Sequence, residues 1–395
     1  MNILIFEWNN FGVSDVCEAL QNIGSSSHVV STELMLDRVS PAFDALFDKE
    51  YGADIYDAVF TFNYSPVVSN NCSRCNIPYI AFVYDSPLVT LYSYTIINPC
   101  NHVFIFDKAL YMDLKKENIP TVYYMPLAVN FRRIQKLITE SKPNTQESAS
   151  HAKINPCDIS FVGSMYNEQH NLFERFKNLP DFTKGYLDAA MDAQLQVYGY
   201  YFIEELLTPQ ILEAMQNIVP LQPNRDGVET ISYLYAYYYI ARKLAATERQ
   251  QILSKVSQHF NTYLYTPNAT PEIPHIHNMG TADYMTEMPL VFANSKINLN
   301  ITLRSIRSGI PLRAMDIMGA GGFLMSNYQA DFCDFFIPGE DMILYESQDD
   351  LLNKCDYYLR HDSERRQIAQ NGFEKVKERH TFEVRLKEIF EIVFQ

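Results

Sequence analysis

Strand-length apolar runs alternate with helix-length amphipathic segments through the first 130 residues, and this pattern restricts the fold more than any other feature. Asn2 to Trp8 reads as a strand. Ser14 is placed to cap a helix whose apolar positions are Val16, Ala19, Leu20 and Ile23, ending at Gly24. His28 to Thr32 reads as a second strand, and a helix with Phe43, Leu46 and Phe47 on one stripe follows Ser40-Pro41. Ala58 to Phe62, Ile77 to Tyr84, His102 to Phe106 and Thr121 to Met125 complete six strands. The fourth is apolar almost throughout, as a strand covered on both faces is. The alternation predicts an open parallel sheet of the α/β class.

With 395 residues the chain is too long for one ordinary core, so two domains are expected. Residues 1–130 form the first. Residues 131–157 change character, and the polar, breaker-rich run Lys142 to Pro156 reads as a linker or exposed loop. The α/β pattern resumes at Asp158-Ile-Ser-Phe-Val-Gly-Ser164 and extends to about residue 380. A helical insert, about 168–260, interrupts it. Within the insert Thr208-Pro209 reads as a cap followed by a first-turn proline. The aromatic patch Tyr233 to Ile240 reads as core packing. Strands are expected at Asn261 to Tyr265, Ile297 to Ile301, Gly322 to Ser326 and Met342 to Tyr345. Two helices end the chain, the last (381–395) carrying Phe382, Leu386, Ile389 and Val393 on one face.

Formal charge is −15, which disfavours a nucleic-acid partner, since that affinity comes from many phosphate contacts. The apolar runs are too short to cross a bilayer, so no stable membrane insertion is expected. The N-terminus lacks the basic start and cleavage site of a signal peptide. Seven cysteines, an odd number, suit a reducing, cytoplasmic setting. Cys72-Ser-Arg-Cys75 lacks the further ligands a zinc site needs, and so does the pair His275 and His277.

The densest chemical signal is Lys296 to Ser326. It reads as strand, basic loop, helix start, glycine turn and second strand. Pro311 suits a first helical position, and Gly309 lets backbone approach a ligand closely. Arg304, Arg307 and Arg313 flank that helix start, which makes it an anion site unless they pair with surface carboxylates. Arg313 and Asp316 share a helix face. A guanidinium for phosphate beside a carboxylate for ribose hydroxyls suits a nucleotide. Gly163 and Ser164 end another strand, as a simple turn or as backbone donors to phosphate.

In the first half, Asp85 follows the buried fourth strand, in Phe82-Val-Tyr-Asp-Ser-Pro87. It is either an acid for proton transfer or a helix cap. Asn10, Asn63 and Tyr64 follow the first and third strands on the same rim, and their amides and phenol suit sugar hydroxyls. Ligands of such sheets bind at the carboxyl ends of strands, and with two halves the cleft between them is the expected site. No Asp-x-Asp occurs, so no metal cofactor is expected, and arginines with a helix N-terminus must neutralise any diphosphate. Motifs for P-loops, serine-hydrolase elbows, zinc proteases and dinucleotide folds are missing.

Three runs carry a family resemblance: Ser295 to Thr302, Ser308-Gly-Ile-Pro-Leu-Arg313, and Asp316-Ile-Met-Gly-Ala-Gly-Gly-Phe323. With Tyr56 to Tyr64, Ile77 to Pro87 and Phe161-Val-Gly-Ser164, they resemble CgeB-type glycosyltransferases, relatives of the group 1 glycosyltransferases with the GT-B fold. The resemblance spans most of the chain outside the helical insert. It implies two Rossmann-like domains facing a cleft, the first binding acceptor and the second binding a nucleotide-sugar donor. By motif, Asp316 would hold ribose, and Ser308, Gly309 and Ile310 would meet the diphosphate. Arg304 and Arg313 would be its cationic partners, and Gly280 would lie where the base rests. Group 1 enzymes carry two glutamates eight positions apart. Here those positions are Ser308 and Asp316, which removes the usual contact to the donor sugar and leaves retention of configuration as an analogy.

The expected activity is metal-independent transfer of a sugar from a UDP- or GDP-type donor to a sugar, lipid or protein acceptor. Arg313 would stabilise the leaving group, and Asp85 would act as base or acceptor contact. A nucleotide-sugar epimerase and a non-catalytic binding protein on the same fold are the alternatives.

Overall fold

The computed structural model describes residues 1–141, 156–168 and 171–395. The chain divides into two compact units. The first comprises Met1–Asn130, Pro223–Glu229 and Arg379–Gln395; the second comprises Phe131–Gln222 and Thr230–Glu378.

In the first unit, β1 (Asn2–Glu7), β2 (Ser26–Ser31), β3 (Ala58–Phe62), β4 (Tyr79–Val83), β5 (Asn101–Ile105) and β6 (Val122–Tyr124) form one sheet. Its order is β2-β1-β3-β4-β5-β6, and every pairing is parallel. β3 and β4 are buried at every residue, which is why their sequences are apolar without alternation. The strand order reverses between β1 and β3, so the ligand crevice of this sheet lies at their carboxyl ends. The core behind it packs Phe6, Phe43, Phe47, Val68 and Tyr79.

Two pieces from far along the sequence complete this unit. The helix Phe382–Val393 is capped by Thr381, whose hydroxyl accepts from the Val384 N–H at 3.3 Å. It packs on the helix Val13–Asn22, with Asn22 donating to Glu383 at 3.1 Å. The segment Pro223–Glu229 leaves the helical insert to join this unit. Arg38 donates to both carboxylate oxygens of Asp226 at 3.0 Å, and Ser93 Oγ donates to Asp226 at 2.8 Å.

In the second unit, β7 (Cys157–Val162), β8 (Thr262–Tyr265), β9 (His277–Asn278), β10 (Ser295–Asn300), β11 (Leu324–Asn327) and β12 (Ile343–Tyr345) form a parallel sheet of order β12-β11-β10-β7-β8-β9. Counted from its own first strand, this is the doubly wound order 3-2-1-4-5-6, with its switch point between β7 and β10. Asn298 and Asn300 on β10 are fully buried, and both are satisfied. Asn298 accepts from Ser160 at 2.8 Å and donates to the Phe292 carbonyl at 3.1 Å. Asn300 donates to Thr302 and Ser326, both at 2.9 Å.

Several sequence expectations shift. Phe131–Glu140, expected as the start of a linker, is a helix of the second unit, and most of the run Lys142 to Pro156 lies outside the described residues. Tyr235–Ile240 is a π-helical turn leading into the helix Ala241–His259. Tyr235, Tyr237 and Tyr239 of this turn are buried core residues, the Tyr237 ring centre 4.7 Å from that of Tyr233 just before it. Three helices, not two, close the chain: Gln348–Arg360, Asp362–Arg379 and Phe382–Val393. Pro311 is extended at ψ 152° and caps the helix Leu312–Gly319 from one residue outside it. Among the described residues no helix is long and apolar enough to cross a membrane.

Candidate functional site

The carboxyl ends of β7 and β10 bring two guanidinium groups to one aromatic ring. β7 runs into Gly163, whose φ of +154° favours glycine. A Cβ at Gly163 would lie 2.5 Å from Arg313 Nη2, so the missing side chain is what lets that guanidinium lie against the strand end. Arg313 stands on the first turn of Leu312–Gly319, over the Phe161 ring at 5.2 Å, with Asn300 Oδ1 3.5 Å away.

A second guanidinium shares this place. Arg249, buried on the helix Ala241–His259, lies over the same Phe161 ring at 5.2 Å and over Tyr166 at 4.6 Å. It donates to the Ser164 carbonyl and, at 2.8 Å, to the Ile301 carbonyl, so it ties the ends of β7 and β10 together. Burial, then repulsion by Arg249, push the Arg313 pKa down to about 10. Two like charges held together with their solvation reduced make a place that gains from a bound anion.

The other expected donor residues fall into different environments. The Ser164 hydroxyl is spent on its own turn, bonded to Glu168 at 2.8 Å and accepting from the Tyr166 N–H at 3.0 Å. Asp316 is buried and accepts from the Tyr284 hydroxyl at 3.3 Å, while Arg133 lies over the Tyr284 ring at 5.2 Å. Gly280 sits past the end of β9 with φ +78°, and its carbonyl accepts from the Thr266 N–H at 2.7 Å. Ser308, Gly309 and Ile310 are buried, and Gln329 pins the loop by donating to the Ile306 carbonyl at 2.9 Å.

Arg304 departs from its expected role. It is 7% exposed and donates to both Glu248 oxygens at 2.8 and 2.9 Å, and to the Val197 carbonyl at 2.8 Å. Burial works against its charge, but the Glu248 carboxylate more than offsets this and holds the guanidinium above its ordinary value. Its charge is already neutralised, so it is a structural tie between the helical insert and the loop after β10.

In the first unit the four expected residues gather around one cavity of about 210 Å³ at the β1/β3 switch point. Asn10, Asn63, Tyr64 and Asp85 line it, with Trp8 and Leu36 at its mouth. Asn63 has φ +59° and clamps the next loop: its amide donates to Asp85 at 2.7 Å and accepts from the Tyr84 and Asp85 N–H groups at 2.8 and 3.0 Å. Asp85 is exposed, and no helix begins at Ser86-Pro87, so it is not a helix cap. Tyr64 differs from expectation. Its hydroxyl bonds Thr95 at 2.7 Å inside the core, and burial pushes its pKa up to about 12, so it offers the cavity no free phenol.

His277 lies on β9, exposed, its ring 5.3 Å from that of Tyr263. Among the described residues, no group of three His, Cys, Asp or Glu is placed to hold a metal. All seven cysteines are free thiols.

Residues 242–391 match the family model described as glycosyl transferase-like. No curated protein sequence matches the chain. Three solved structures align along nearly their whole length. A UDP-forming α,α-trehalose-phosphate synthase from Burkholderia xenovorans is similar at TM-score 0.54 and 12% identity, over 100% of this chain and 98% of that one. A sucrose-phosphate synthase from Thermosynechococcus elongatus is similar at 0.53 and 10%, over 100% and 99%. The Anabaena protein HepE, solved with UDP, is similar at 0.51 and 11%, over 100% of both chains. The fold is GT-B. Within that GT-B frame, the matched stretch begins on the helix of Arg249 and includes β10, Arg313 and Asp316.

Arg249 was not legible as a site residue. Its one signal is position: it falls on the stripe Ala245, Ile252, Leu253 and Val256, where an arginine has no packing reason to be.

Proposed function

We propose that the protein is a metal-independent, retaining glycosyltransferase, close to the CgeB type, that uses a UDP- or GDP-linked sugar. The pairing of Arg249 and Arg313 at the β7/β10 switch point carries this reading, because it is built for a compact polyanion. The glycosyl transferase-like match over the same residues supports it. The UDP bound to HepE, a protein of the same fold, favours a uridine donor.

In this reading the bond from the anomeric carbon to the diphosphate oxygen breaks, and the anomeric carbon bonds an acceptor oxygen. Negative charge grows on the departing diphosphate, where Arg313 stabilises it. The acceptor proton passes to the leaving phosphate on the same face, so no protein base is required. Asp316, through Tyr284, is the candidate for the ribose hydroxyls, Gly280 for the base, and Gly163 with Ser308 to Ile310 for backbone contacts. Asp85, Asn10 and Asn63 belong to the acceptor side.

The buried Ser308, where group 1 enzymes carry an acid, favours a second reading: a non-catalytic nucleotide-sugar binder. Turnover of a panel of nucleotide sugars, followed by nucleoside diphosphate release with and without acceptor sugars, tests both. Acceptor-dependent release supports transfer. Donor conversion without acceptor indicates an epimerase, and binding with no turnover supports the second reading.

A further inference from the structure

The polar lining of the first unit's cavity is largely committed to the protein itself. Asp85 accepts from the Asn63 amide at 2.7 Å, and Glu7 accepts from the Asn10 N–H at 3.3 Å. Asn63 Oδ1 accepts from the Tyr84 and Asp85 N–H groups, and Asn10 Oδ1 from the Gly12 N–H at 2.8 Å. Thr90 donates to the Tyr64 carbonyl at 2.6 Å, Ser65 donates to the Met35 carbonyl at 2.8 Å, and the Tyr64 hydroxyl bonds Thr95. These bonds fasten the loops after β1, β3 and β4, so they shape the cavity before any ligand arrives.

The apolar lining is placed differently. Trp8 and Leu36 line the cavity and yet are 39% and 65% exposed. Met35 and Phe62, both buried, and half-buried Leu88 complete the apolar wall. A few residues past Trp8 and Leu36 the chain also exposes Phe11 and Val39. A single exposed apolar side chain needs no explanation, but an indole and a leucine converging on one concave site mark a surface that a ligand covers.

We infer that this cavity takes an acceptor with an apolar aglycone, and that its affinity comes from covering Trp8 and Leu36 more than from reading a pattern of hydroxyls. This rests on the acceptor-side reading above and deepens it by naming the acceptor class. Polar lining groups bonded to their own loops hold the rim in place. The apolar wall then gains from each methylene that a ligand takes out of water.

Trp8 is the single tryptophan of the chain, so its selectively excited fluorescence reports on this cavity. The test titrates the full chain with the methyl, butyl and hexyl members of the glucoside, galactoside and mannoside series. A buried methylene is worth about fourfold in affinity, so in at least one series the butyl member should bind at least about tenfold more tightly than the methyl member. Leu36→Ser should shrink that ratio by about threefold or more, as part of the covered surface is withdrawn. Phe182→Ser, at a side chain 67% exposed on the helix Asp181–Leu195 of the second unit, is the control and should leave the ratio unchanged. Affinity independent of chain length overturns the inference, as does a panel that leaves the emission unmoved, or a ratio that Leu36→Ser leaves intact or that Phe182→Ser shrinks as much. Nucleoside diphosphate release from a donor panel, measured in parallel, separates the two levels. Release that rises with some acceptor while the alkyl series stays flat sinks only this inference, whereas release from no donor with any acceptor sinks the transferase reading beneath it.

Discussion

Replacing Gly163 by alanine tests the second-unit site at its narrowest point. Two costs follow from the geometry. The backbone at φ +154° is one a Cβ disfavours, worth about 1–3 kcal/mol of stability. The new methyl would also meet Arg313 Nη2 at 2.5 Å and Cζ at 3.1 Å. That contact is with the end of a flexible side chain, so the guanidinium swings away and the second cost falls on binding, not stability. Losing a charge-assisted hydrogen bond is worth about 1.5–3 kcal/mol, or roughly 10–100-fold in affinity for a nucleoside diphosphate. Gly24→Ala is the control. Its φ is +77° and nothing lies within 4 Å of a Cβ there, so it pays backbone strain alone. Denaturant unfolding should show a comparable loss for both variants, while calorimetric titration with UDP and GDP should show weakened binding only for Gly163→Ala. Equal affinity in the two variants would refute the placement of phosphate beside Arg313.

Further outcomes follow from the same structure. Glu248→Ala leaves Arg304 buried and uncompensated and should cost about 3–5 kcal/mol by denaturant unfolding, with loss of folding rather than a selective loss of turnover. His380 is 1% exposed and accepts from Arg385 at Nδ1, 3.0 Å away; burial, then the Arg385 charge, depress its pKa from 6.5 to about 3. The unfolded chain therefore binds the extra proton between those values, so this stability is complete above about pH 6.5 and is lost as pH falls toward 3. At pH 5 the loss is about 2 kcal/mol, and His380→Gln should flatten the slope of stability against pH. EDTA should leave transfer unchanged; loss restored by Mn²⁺ would contradict the metal-free mechanism. Arg313→Ala should lower turnover by about 100-fold at saturating donor while the unfolding midpoint changes little.

Much of the fold was legible because parallel strands buried on both faces announce themselves. Ala58-Val-Phe-Thr-Phe62 and Ile297-Asn-Leu-Asn300 fall where strands β3 and β10 run. Glycine also spoke locally, since Gly163 ends a strand where backbone and guanidinium must meet. What escaped was contact across long sequence separations. Arg304 and Arg313 are both arginines near one loop, and only the tertiary position of Glu248, 56 residues away, spends one of them. Arg249 belongs to the site through a helix that closes the insert, and no local pattern links it to Phe161. Asp226 joins Arg38 across 188 residues, so the excursion of Pro223–Glu229 into the first unit had no local trace. Tyr64 read as a phenol for sugar hydroxyls because its partner Thr95 lies 31 residues further on.

The central claim is that Arg313 and Arg249, at the ends of β7 and β10, hold the diphosphate of an activated sugar. A crystal structure grown with UDP or GDP tests it most directly. Diphosphate density within hydrogen-bond reach of Arg313, beside the Gly163 backbone, is the result expected. A nucleotide bound elsewhere, with that strand-end position occupied only by protein side chains, would contradict the account.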